Sequence, residues 1–334
     1  ARLAEAAARL DTLRAEHAAQ VQQLADAAVA ERQRLLDEIR LEQERAAGER
    51  EHLMRQTDQL RQDHVVVVEE LKQKLVRLEG ALAGLRPVAE IMLMNFTTVA
   101  MDQIVNHAAK LRFMTGGQTH VPLVIRTTTG AGFGTGGQHA DYLEAWFAHT
   151  AGLKVVAPST PADAYGLMLS CIFDDDPCIF IENLPLYFVP GDAPVPGERV
   201  PIGKARVVQE GSDITLISYS KTLHEVIAVA KGLAKEGISA EVIDLRSISP
   251  LDMDTIIASA RKTGRVVVAH EAQVDFGVGA EISARLHKEL FGQLKAPVAR
   301  VGAARSPVPF SKPLETAFVP TRERILAAIR ETLA

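Results

Sequence analysis

The sequence predicts an α/β protein with two parallel-stranded domains, preceded by a long, solvent-exposed helical arm. Three observations support this fold class. Charged residues occupy 29 of the first 80 positions but only 50 of the other 254. From residue 84 onward, short apolar runs rich in β-branched residues alternate with amphipathic helical stretches, a pattern typical of parallel sheets with right-handed crossovers. A proline-rich stretch at residues 185–202 divides this alternation into two parts.

Residues 1–83 form the predicted arm. They contain no proline and no aromatic residue, and they are rich in Ala, Glu, Gln, Arg and Leu, as in a long helix or coiled coil. An apolar residue recurs every seven positions, at Ile39, Ala46, Leu53, Leu60 and Val67. The second heptad position is polar, at Glu42, Glu49, Gln56, Asp63 and Glu70. A continuous apolar stripe follows, at Leu71, Leu75, Leu78, Leu82 and Leu85. We therefore expect a weakly specified coiled coil that improves towards its end.

The remainder of the chain predicts two α/β domains. Six apolar runs predict strands, at residues 121–125, 153–156, 178–181, 214–217, 240–243 and 265–269. Five amphipathic stretches predict helices, at residues 96–112, 141–151, 161–173, 222–236 and 251–260. We expect domains at 84–184 and 203–334, joined by an extended linker at 185–202.

Composition excludes several functional classes. A net charge of −5 gives no basic surface for nucleic acid or for an anionic membrane. The aliphatic run at residues 65–68 is far shorter than the ~20 residues that cross a bilayer. Two cysteines, Cys171 and Cys178, are too few for a disulfide scaffold or a cysteine-rich zinc site. We therefore expect a cytoplasmic protein without a nucleic-acid or membrane partner.

A glycine-rich segment at residues 126–146 lies between a predicted strand and a predicted helix. Gly132, Gly134 and Gly137 satisfy the dinucleotide pattern G-x-G-x-x-G. The next strand runs into Ala-Pro-Ser at 157–159, with no acidic residue to bind a ribose hydroxyl. We therefore favour a ligand-facing loop at the carboxyl end of a parallel strand over a nicotinamide site. His139 is the candidate acid–base group of this loop, because imidazole titrates near neutrality.

Two further polar groups are candidates for function. Three successive carboxylates, Asp174–Asp176, occupy a turn between a helix and a strand. Such a turn is most often a solvated cap, and the alternative is a site for a hard cation. His270 and Glu271 follow a buried strand, and we interpret them as a pair at the contact between the two domains.

Long ungapped stretches carry a family resemblance, among them GLRPVAEI (84–91), NFTTVAMDQIVNHAAK (95–110), IRTTTGAGFGTGGQHADYLEAW (125–146), DDDPCIFIEN (174–183) and PVPFSKPLE (307–315). On these residues the chain from Gly84 onward resembles the beta subunit of the decarboxylating component of 2-oxo acid dehydrogenase complexes, pyruvate dehydrogenase above all. The resemblance implies a transketolase-like pyrimidine domain without its N-terminal half, followed by a transketolase C-terminal domain.

The resemblance also implies cofactors and site residues. Thiamine diphosphate is expected between this chain and an alpha subunit, which holds the diphosphate and magnesium. Phe96 matches the aromatic residue that packs on the aminopyrimidine ring. His139 matches the histidine that acts on intermediates and assists acyl transfer to the lipoyl group. The family's structural potassium site, made largely of backbone carbonyls, maps to Leu123, Cys171, Ile172, Asp174 and Asp176.

The resemblance stops before Gly84, in the region where the family has a glutamate that hydrogen-bonds the pyrimidine ring. Glu70 lies 14 residues before Gly84, at the counted position of that glutamate. Its surroundings lack the small residues with which the family packs this region, so a coincidental match is our preferred interpretation of Glu70.

Three functional hypotheses follow from these expectations. The first is the beta subunit of a thiamine diphosphate-dependent dehydrogenase of a 2-oxo acid, with pyruvate as substrate. Its partners would be an alpha subunit, in a heterotetramer, and the lipoyl acyltransferase core of the complex. The second is a catalytically incomplete fusion or chimera whose helical arm mediates assembly. The third, a nicotinamide-dependent dehydrogenase, depends only on the glycine pattern.

Overall fold

The computed structural model describes residues 80–334 without a gap, and before them residues 9, 11, 15–17, 19–23, 26–27, 31–48, 50–51 and 54–55. The chain divides into two compact units, Ala1–Val67 and Val68–Ala334. Glu70 lies outside the described residues. So do Leu71, Leu75, Leu78 and every position of the predicted heptad beyond Ala46.

The described residues of the first unit are helical, and their longest stretch is α1 at residues 31–48. Good helix formers fill it, and Arg34 and Glu38 pair at 3.3 Å one turn apart. The described residues are all exposed, including Ile39 of the predicted heptad at 54%. A helical N-terminal region is therefore confirmed for the described residues, whereas its pairing into a coiled coil stays a prediction.

The second unit contains strands and helices in alternation. Its strands are β1 (Val88–Leu93), β2 (Val124–Thr129), β3 (Lys154–Val156), β4 (Cys178–Asn183), β5 (Arg206–Gln209), β6 (Ile214–Ser218), β7 (Ala240–Asp244), β8 (Ser247–Ser249), β9 (Val266–Gln273) and β10 (Ala299–Ala303). Its α-helices are α2 (Leu111–Met114), α3 (Glu144–Ala148), α4 (Pro161–Ile172), α5 (Ser220–Lys235), α6 (Met253–Thr263), α7 (Val278–Glu289), α8 (Lys312–Phe318) and α9 (Arg322–Leu333). In the described part of the chain, no helix is long and apolar enough to cross a membrane.

The first sheet has the strand order β1-β2-β4-β3-β8. Its first four strands are parallel, and β4 is buried at every residue because it lies at the centre with helices to cover it. The edge strand β8 runs antiparallel to β3, with Val155 opposite Ser249. Since β8 comes from the chain after the proline-rich stretch, the second half of the chain completes the sheet of the first half.

The second sheet has the strand order β10-β9-β6-β7-β5. Four strands are parallel, and β5 closes one edge antiparallel to β7. The central strands β6 and β7 are buried throughout. Because the parallel strands of each sheet end on one side, the loops that follow them meet there, which is where open α/β sheets bind ligands.

The stretch predicted as one helix at residues 96–112 is broken into three short pieces. A 3₁₀-helix covers Met94–Ala100, a π-helix covers Gln103–Ala108, and α2 follows. Thr97 and Thr98 turn their hydroxyls back onto the carbonyls of Met94 and Asn95, at 2.6 and 2.8 Å. Such side-chain bonds compete with regular helix formation, and irregular helices of this kind are frequent at functional sites.

Candidate active site

Two aromatic side chains meet beside the carboxyl ends of β1 and β2. Phe96 lies in the 3₁₀-helix directly after β1, and His139 lies ten residues beyond the end of β2. Their ring centroids are 5.6 Å apart and the ring planes meet at 74°, an edge-to-face contact. Both side chains are half-buried. The structure therefore brings together Phe96, which the resemblance assigned to the cofactor ring, and His139, which it assigned to catalysis.

The imidazole of His139 has unused hydrogen-bonding capacity. Its Nδ1 atom is buried and has no hydrogen-bond partner among the described residues. Buried polar atoms are nearly always hydrogen-bonded, so an orphaned one calls for an explanation such as a ligand that it binds. The arrangement can stack a flat ring on Phe96 and exchange a proton or a hydrogen bond at His139.

A pair of polar side chains ties the segment that carries Phe96 to the segment that carries His139. Asn95 donates through Nδ2 to Oδ2 of Asp141 at 2.7 Å, and its Oδ1 accepts from the Asp141 N–H at 3.1 Å. The Asp141 carbonyl accepts from the Thr129 hydroxyl at 2.6 Å. Because Asn95 and Asp141 lie within two residues of the two rings, they fix the distance between them.

The glycine loop owes its shape to alternating left-handed residues. Gly130, Gly132, Gly134 and Gly136 have φ values of +115°, +135°, +65° and +73°, which residues with a side chain rarely adopt. A Cβ atom at Gly130 would lie 2.8 Å from Oδ1 of Asn183, so close approach also requires glycine there. Backbones of this kind turn successive N–H groups towards one side, as in anion-binding nests.

The N–H groups of this loop are bound by two carboxylates from the second half of the chain. Glu271 accepts from Ala131 N–H at 2.6 Å. Glu315 accepts from Gly132 N–H at 2.6 Å and from Gly134 N–H at 3.1 Å. A dinucleotide pyrophosphate would need these same donors. The nicotinamide hypothesis is therefore wrong: the glycine pattern serves to bind the chain's own carboxylates.

Glu271 connects the two halves of the second unit, because it also accepts from the Asn183 side chain at 2.9 Å. The prediction of a residue pair at this contact is therefore confirmed for Glu271, whereas the hydrogen bonds of His270 are with residues of the second half. His270 contacts the Ala272 carbonyl through Nδ1 at 3.0 Å and accepts from Gly279 N–H at 3.3 Å, so it is the neutral tautomer with its proton on Nδ1. Its complete burial lowers its pKa to about 4.

A second buried carboxyl, that of Glu144, lies behind the loop. The Tyr219 hydroxyl donates to Oε1 of Glu144 at 2.6 Å, and the Tyr219 ring stacks on His270 at 6.1 Å. Burial raises the pKa of Glu144 to about 7, and it also raises the pKa of Tyr219 well above its ordinary value. At neutral pH Glu144 therefore keeps a substantial protonated fraction, and Tyr219 is neutral.

The acidic turn brings together the residues of the predicted potassium site. Asp174 and Asp176 lie between α4 and β4, and the Leu123 carbonyl accepts from Cys178 N–H at 2.9 Å beside them. The Arg86 guanidinium donates to the carbonyls of Ile172 and Asp174, at 3.1 and 2.7 Å. These carbonyls have one remaining lone pair each, so the turn still supplies oxygen ligands.

The charge of the turn is already compensated. Arg86 binds Asp175, Arg112 binds Asp176, and Lys154 binds Asp174, each at 2.6 Å. The guanidinium of Arg86 holds the pKa of Asp175 below its ordinary value. Within the described residues, no group of three or more His, Cys, Asp or Glu side chains is arranged to hold a metal. Potassium therefore stays a prediction, and no step of the proposed chemistry depends on it.

A cavity of about 630 Å³ lies elsewhere on the first sheet, against α4 and the end of β4. Part of its polar lining is satisfied internally: Arg126 forms a two-point ion pair with Glu182 at 2.8 Å, and Tyr187 donates to the same carboxylate. Oδ1 of Asn183, also in the lining, has no hydrogen-bond partner among the described residues. The remaining lining is mainly apolar. Neither Phe96 nor His139 borders it, so we place the candidate active site at those two residues rather than in the cavity.

Several residues of the site are not identified by sequence reasoning. Asn95 and Asp141 lie inside stretches that carry the family resemblance, as does Glu315, but no pattern in the sequence pairs them. Glu315 is 183 residues from Gly132, and such contacts become visible only in the folded chain. The match of Glu70 to the family's glutamate depends only on its counted position in the sequence, since Glu70 lies outside the described residues.

Comparison with known proteins agrees with this arrangement. The pyrimidine binding domain of transketolase matches residues 80–189, and the C-terminal domain of transketolase matches residues 203–325. The beta subunit of acetoin:2,6-dichlorophenolindophenol oxidoreductase from Cupriavidus necator is 45% identical over 76% of this chain and 75% of its own length. The pyruvate dehydrogenase E1 component subunit beta-1 from Oryza sativa is 46% identical over 75% of this chain and 68% of its own.

A solved structure described as a split gene transketolase, an inactive beta4 tetramer, shares the fold. It superimposes with a TM-score of 0.66 over 79% of this chain and 81% of that chain, at 24% identity. The two domain matches cover the residues that form the two sheets and the Phe96–His139 contact. The chain therefore belongs to the family of E1 beta subunits of 2-oxo acid dehydrogenase complexes, with the pyrimidine-binding and C-terminal domains of transketolase.

Proposed function

We propose that the chain is the beta subunit of a thiamine diphosphate-dependent 2-oxo acid dehydrogenase that acts on pyruvate. The observation that supports this most directly is the contact between Phe96 and His139, whose ring centroids are 5.6 Å apart. It sits at the carboxyl edge of a parallel sheet, where an open α/β fold binds ligands. Membership of the E1 beta family supports a role in oxidation of a carbonyl substrate.

The residues present fit the aminopyrimidine side of the cofactor. Phe96 offers a half-buried aromatic face on which a flat heterocycle can stack. The orphaned Nδ1 atom of His139 offers a hydrogen bond that no described side chain satisfies. When bound, thiamine diphosphate supplies the carbon nucleophile that adds to the substrate carbonyl and takes up the electron pair of the broken carbon–carbon bond.

His139 acts as the acid–base group of the beta side. Negative charge develops on the carbonyl oxygen as a nucleophile adds to the carbonyl carbon, and an imidazolium nearby stabilises or protonates it. Phe96 covers one side of the site and excludes water. The hydrogen bonds between Asn95 and Asp141 keep the rings of Phe96 and His139 at a fixed distance. This matters because small errors of position slow a reaction severely.

The remaining components of the proposal come from the partners. An alpha subunit would hold the diphosphate group and magnesium, and two copies of each chain would form a heterotetramer. The lipoyl acyltransferase core of the complex would accept the acyl group. Cys171 and Cys178 are both free and buried, and the reducing cytoplasm is our proposed location for the chain.

Reconstitution tests the proposal. The chain is mixed with a matching alpha subunit, thiamine diphosphate and magnesium, and dye reduction by pyruvate is followed. We expect activity that falls about 100-fold or more in His139→Ala, in line with the usual contribution of a general acid or base. His149→Ala, an exposed histidine after α3, is the matched control and should retain full activity. Equal rates in the two variants would remove His139 from the mechanism.

Acetoin is a second candidate substrate, because the relative from Cupriavidus necator is named for it. Its carbonyl carbon can undergo the same addition, with loss of a two-carbon aldehyde instead of carbon dioxide. Both substrates therefore require the same Phe96 and His139 geometry. The ratio of kcat/KM for pyruvate to that for acetoin, measured on the reconstituted enzyme, decides between them: a ratio above one supports pyruvate.

The fusion hypothesis makes a different prediction. If the arm mediates assembly through its heptads, Ile39→Asp in the full chain should shift the sedimentation of the oligomer towards smaller species, because a charge in the seam disfavours helix pairing. Arg40→Asp, next to it but outside the seam, is the matched control. Unchanged sedimentation in both variants would speak against assembly through this seam.

A further inference from the structure

We propose that Glu315 is a positioning residue that holds the loop carrying His139 in its working conformation. This inference deepens the proposed function and rests on it, because His139 matters only if the site is catalytic. Glu315 lies in α8, and its side chain is 1% exposed. Its Oε1 atom accepts from Gly132 N–H at 2.6 Å and from Gly134 N–H at 3.1 Å.

A carboxylate at this depth must be compensated by strong contacts. Burial of an ionised carboxylate costs free energy unless the charge is paired or hydrogen-bonded, and bonds to a charged acceptor are about twice as strong as neutral ones. Lys312, one turn earlier in α8, donates to the Gly132 carbonyl at 3.1 Å and lies 3.7 Å from Oε2 of Glu315. One turn of helix thus binds both the N–H and the carbonyl of Gly132.

The loop needs an external support of this kind. Residues 130–139 form no helix or strand, and Gly132 and Gly134 adopt left-handed conformations that leave neighbouring N–H groups without partners inside the loop. Lys221 donates to the carbonyl of Ala131, the residue before Gly132, at 3.0 Å and so adds a second support at the start of the loop. Since the described backbone bonds inside the loop are limited to that from His139 N–H to the Gly136 carbonyl, its shape is set mainly by the side chains that bind it.

The path from Glu315 to the histidine is short. His139 lies five residues beyond Gly134, and its N–H donates to the Gly136 carbonyl at 3.2 Å. Gly136 in turn packs beneath the ring of Phe310, two residues before α8 begins at Lys312. Release of Gly132 and Gly134 would therefore allow the residues up to His139 to move away from Phe96.

Glu271 also binds the loop, but it is a less suitable test. It lies in β9, within the second sheet, and it bridges Ala131 and Asn183. Its replacement would disturb a central contact of the fold. The polar contacts of Glu315, in contrast, are with two glycine N–H groups and Lys312. We therefore choose Glu315 as the residue whose replacement tests the support of the loop.

The test measures the accessibility of His139 in the full chain, without cofactor, partner or substrate. Diethyl pyrocarbonate modifies imidazoles, and the modification of each histidine is quantified by mass spectrometry of peptides. We expect Glu315→Ala to raise the modification rate of His139 about tenfold, because two charge-assisted hydrogen bonds are lost. Glu315→Gln retains an acceptor oxygen and should raise it about threefold at most, a partial rescue.

Two internal standards separate positioning from general unfolding. His270 is 0% exposed, so its modification reports opening of the whole fold, whereas exposed His149 should react equally in all variants. Glu281→Ala, which removes an exposed carboxylate from α7, is the matched control. A parallel rise at His139 and His270 would overturn the proposal, as would an unchanged His139 rate in Glu315→Ala.

If Glu315→Ala does not fold, Glu315→Gln is used for the same comparison. A higher modification rate at His139 but not at His270 supports the role of Glu315, and an equal change in the modification rates of the two histidines overturns it. None of these measurements uses catalysis. Failure of the reconstitution assay would therefore refute the proposed function but not the role of Glu315 in positioning the loop. When activity is present, the double variant His139→Ala, Glu315→Ala should be no slower than His139→Ala alone, because Glu315 acts through the histidine.

Discussion

Glu144 provides a test of the buried polar network behind the glycine loop. Its side chain is 0% exposed, Tyr219 donates to one carboxylate oxygen, and the other oxygen has no hydrogen-bond partner among the described residues. Burial raises the pKa of Glu144 from its ordinary 4.5 to about 7. The difference between these two pKa values corresponds to about 3 kcal/mol of stability that depends on pH.

The sign of the effect follows from which state binds the proton more tightly. The folded state does, because its pKa is the higher one, so the stability is fully present below pH 4.5. It is lost as the pH rises through 7, where the buried group ionises. Glu144→Gln keeps the shape and an acceptor for Tyr219 but cannot ionise. We therefore expect the free energy of unfolding of the unaltered chain to fall by about 2–3 kcal/mol relative to Glu144→Gln between pH 5 and pH 8.

Urea unfolding followed by circular dichroism at pH 5, 6, 7 and 8 measures this difference. Asp244, whose pKa burial raises to about 7, and His270, whose pKa burial lowers to about 4, titrate in both chains. Their contributions cancel, so the difference between the two curves isolates Glu144. Glu281→Gln, in exposed surface, is the control and should run parallel to the unaltered chain. Parallel curves for Glu144→Gln as well would refute the reasoning.

Four further predictions concern the supports of the site and the fold. Asn95→Ala removes both bonds to Asp141 and should lower kcat about tenfold and stability by about 1–3 kcal/mol, while Asn106→Ala on the exposed π-helix should leave kcat unchanged. Gly152→Ala should destabilise the chain by more than about 3 kcal/mol in urea unfolding, since a Cβ there would lie 1.9 Å from the Ala109 carbonyl at a φ of +96°. Gly232→Ala, in open space on α5, should stabilise the chain by about 0.5–1 kcal/mol, because glycine loses more conformational freedom than alanine inside a helix. A lower free energy of unfolding in that variant would contradict this reason. Thr160→Ala removes the N-cap bond to Asp163 N–H at 3.1 Å and should lower the melting temperature, at a cost of about 1 kcal/mol; an unchanged value would show that water replaces the cap.

The buried parts of the fold could be predicted from sequence because their physical signal is local. Each of the six predicted strands overlaps an observed one, although the stretch at 121–125 shares only Val124 and Ile125 with β2. Four of the observed strands, β4, β6, β7 and β9, are buried almost throughout. A buried parallel strand is a continuous apolar run, which sets it apart from helix and loop. The helix α4 begins at the predicted residue because Thr160 and Pro161 form a cap and first-turn pair.

Two of the elements that were not predicted, both edge strands, lack such a signal. The edge strands β5 and β8 are three or four residues long, and β5 is partly exposed along its length. Their pairing with distant strands, not their own composition, makes them strands. The helix expected at 96–112 has the correct apolar spacing, but hydroxyl groups at Thr97 and Thr98 divert its first turn into a 3₁₀-helix. This diversion is what leaves Phe96 beside His139.

The candidate site also contains some features that could be predicted from the sequence and others that could not. Phe96 and His139 could be named because they lie in stretches that carry the family resemblance, and the glycine loop could be named from its composition. The group that binds the loop's N–H donors could not be predicted, because the glycine spacing fits an external anion as well as it fits the carboxylates of Glu271 and Glu315. Which anion binds the N–H groups is decided by a contact across 183 residues of sequence, and no local pattern contains that information.

The most direct test of the central claim is a structure of the chain bound to its alpha partner and thiamine diphosphate. The proposed function gives half of the cofactor site to this chain, so we expect the aminopyrimidine ring in van der Waals contact with Phe96, at about 4 Å, with His139 facing the reactive ring. A cofactor bound away from both residues, or a His139 side chain covered by other parts of the assembly and closed off from the cofactor, would contradict it.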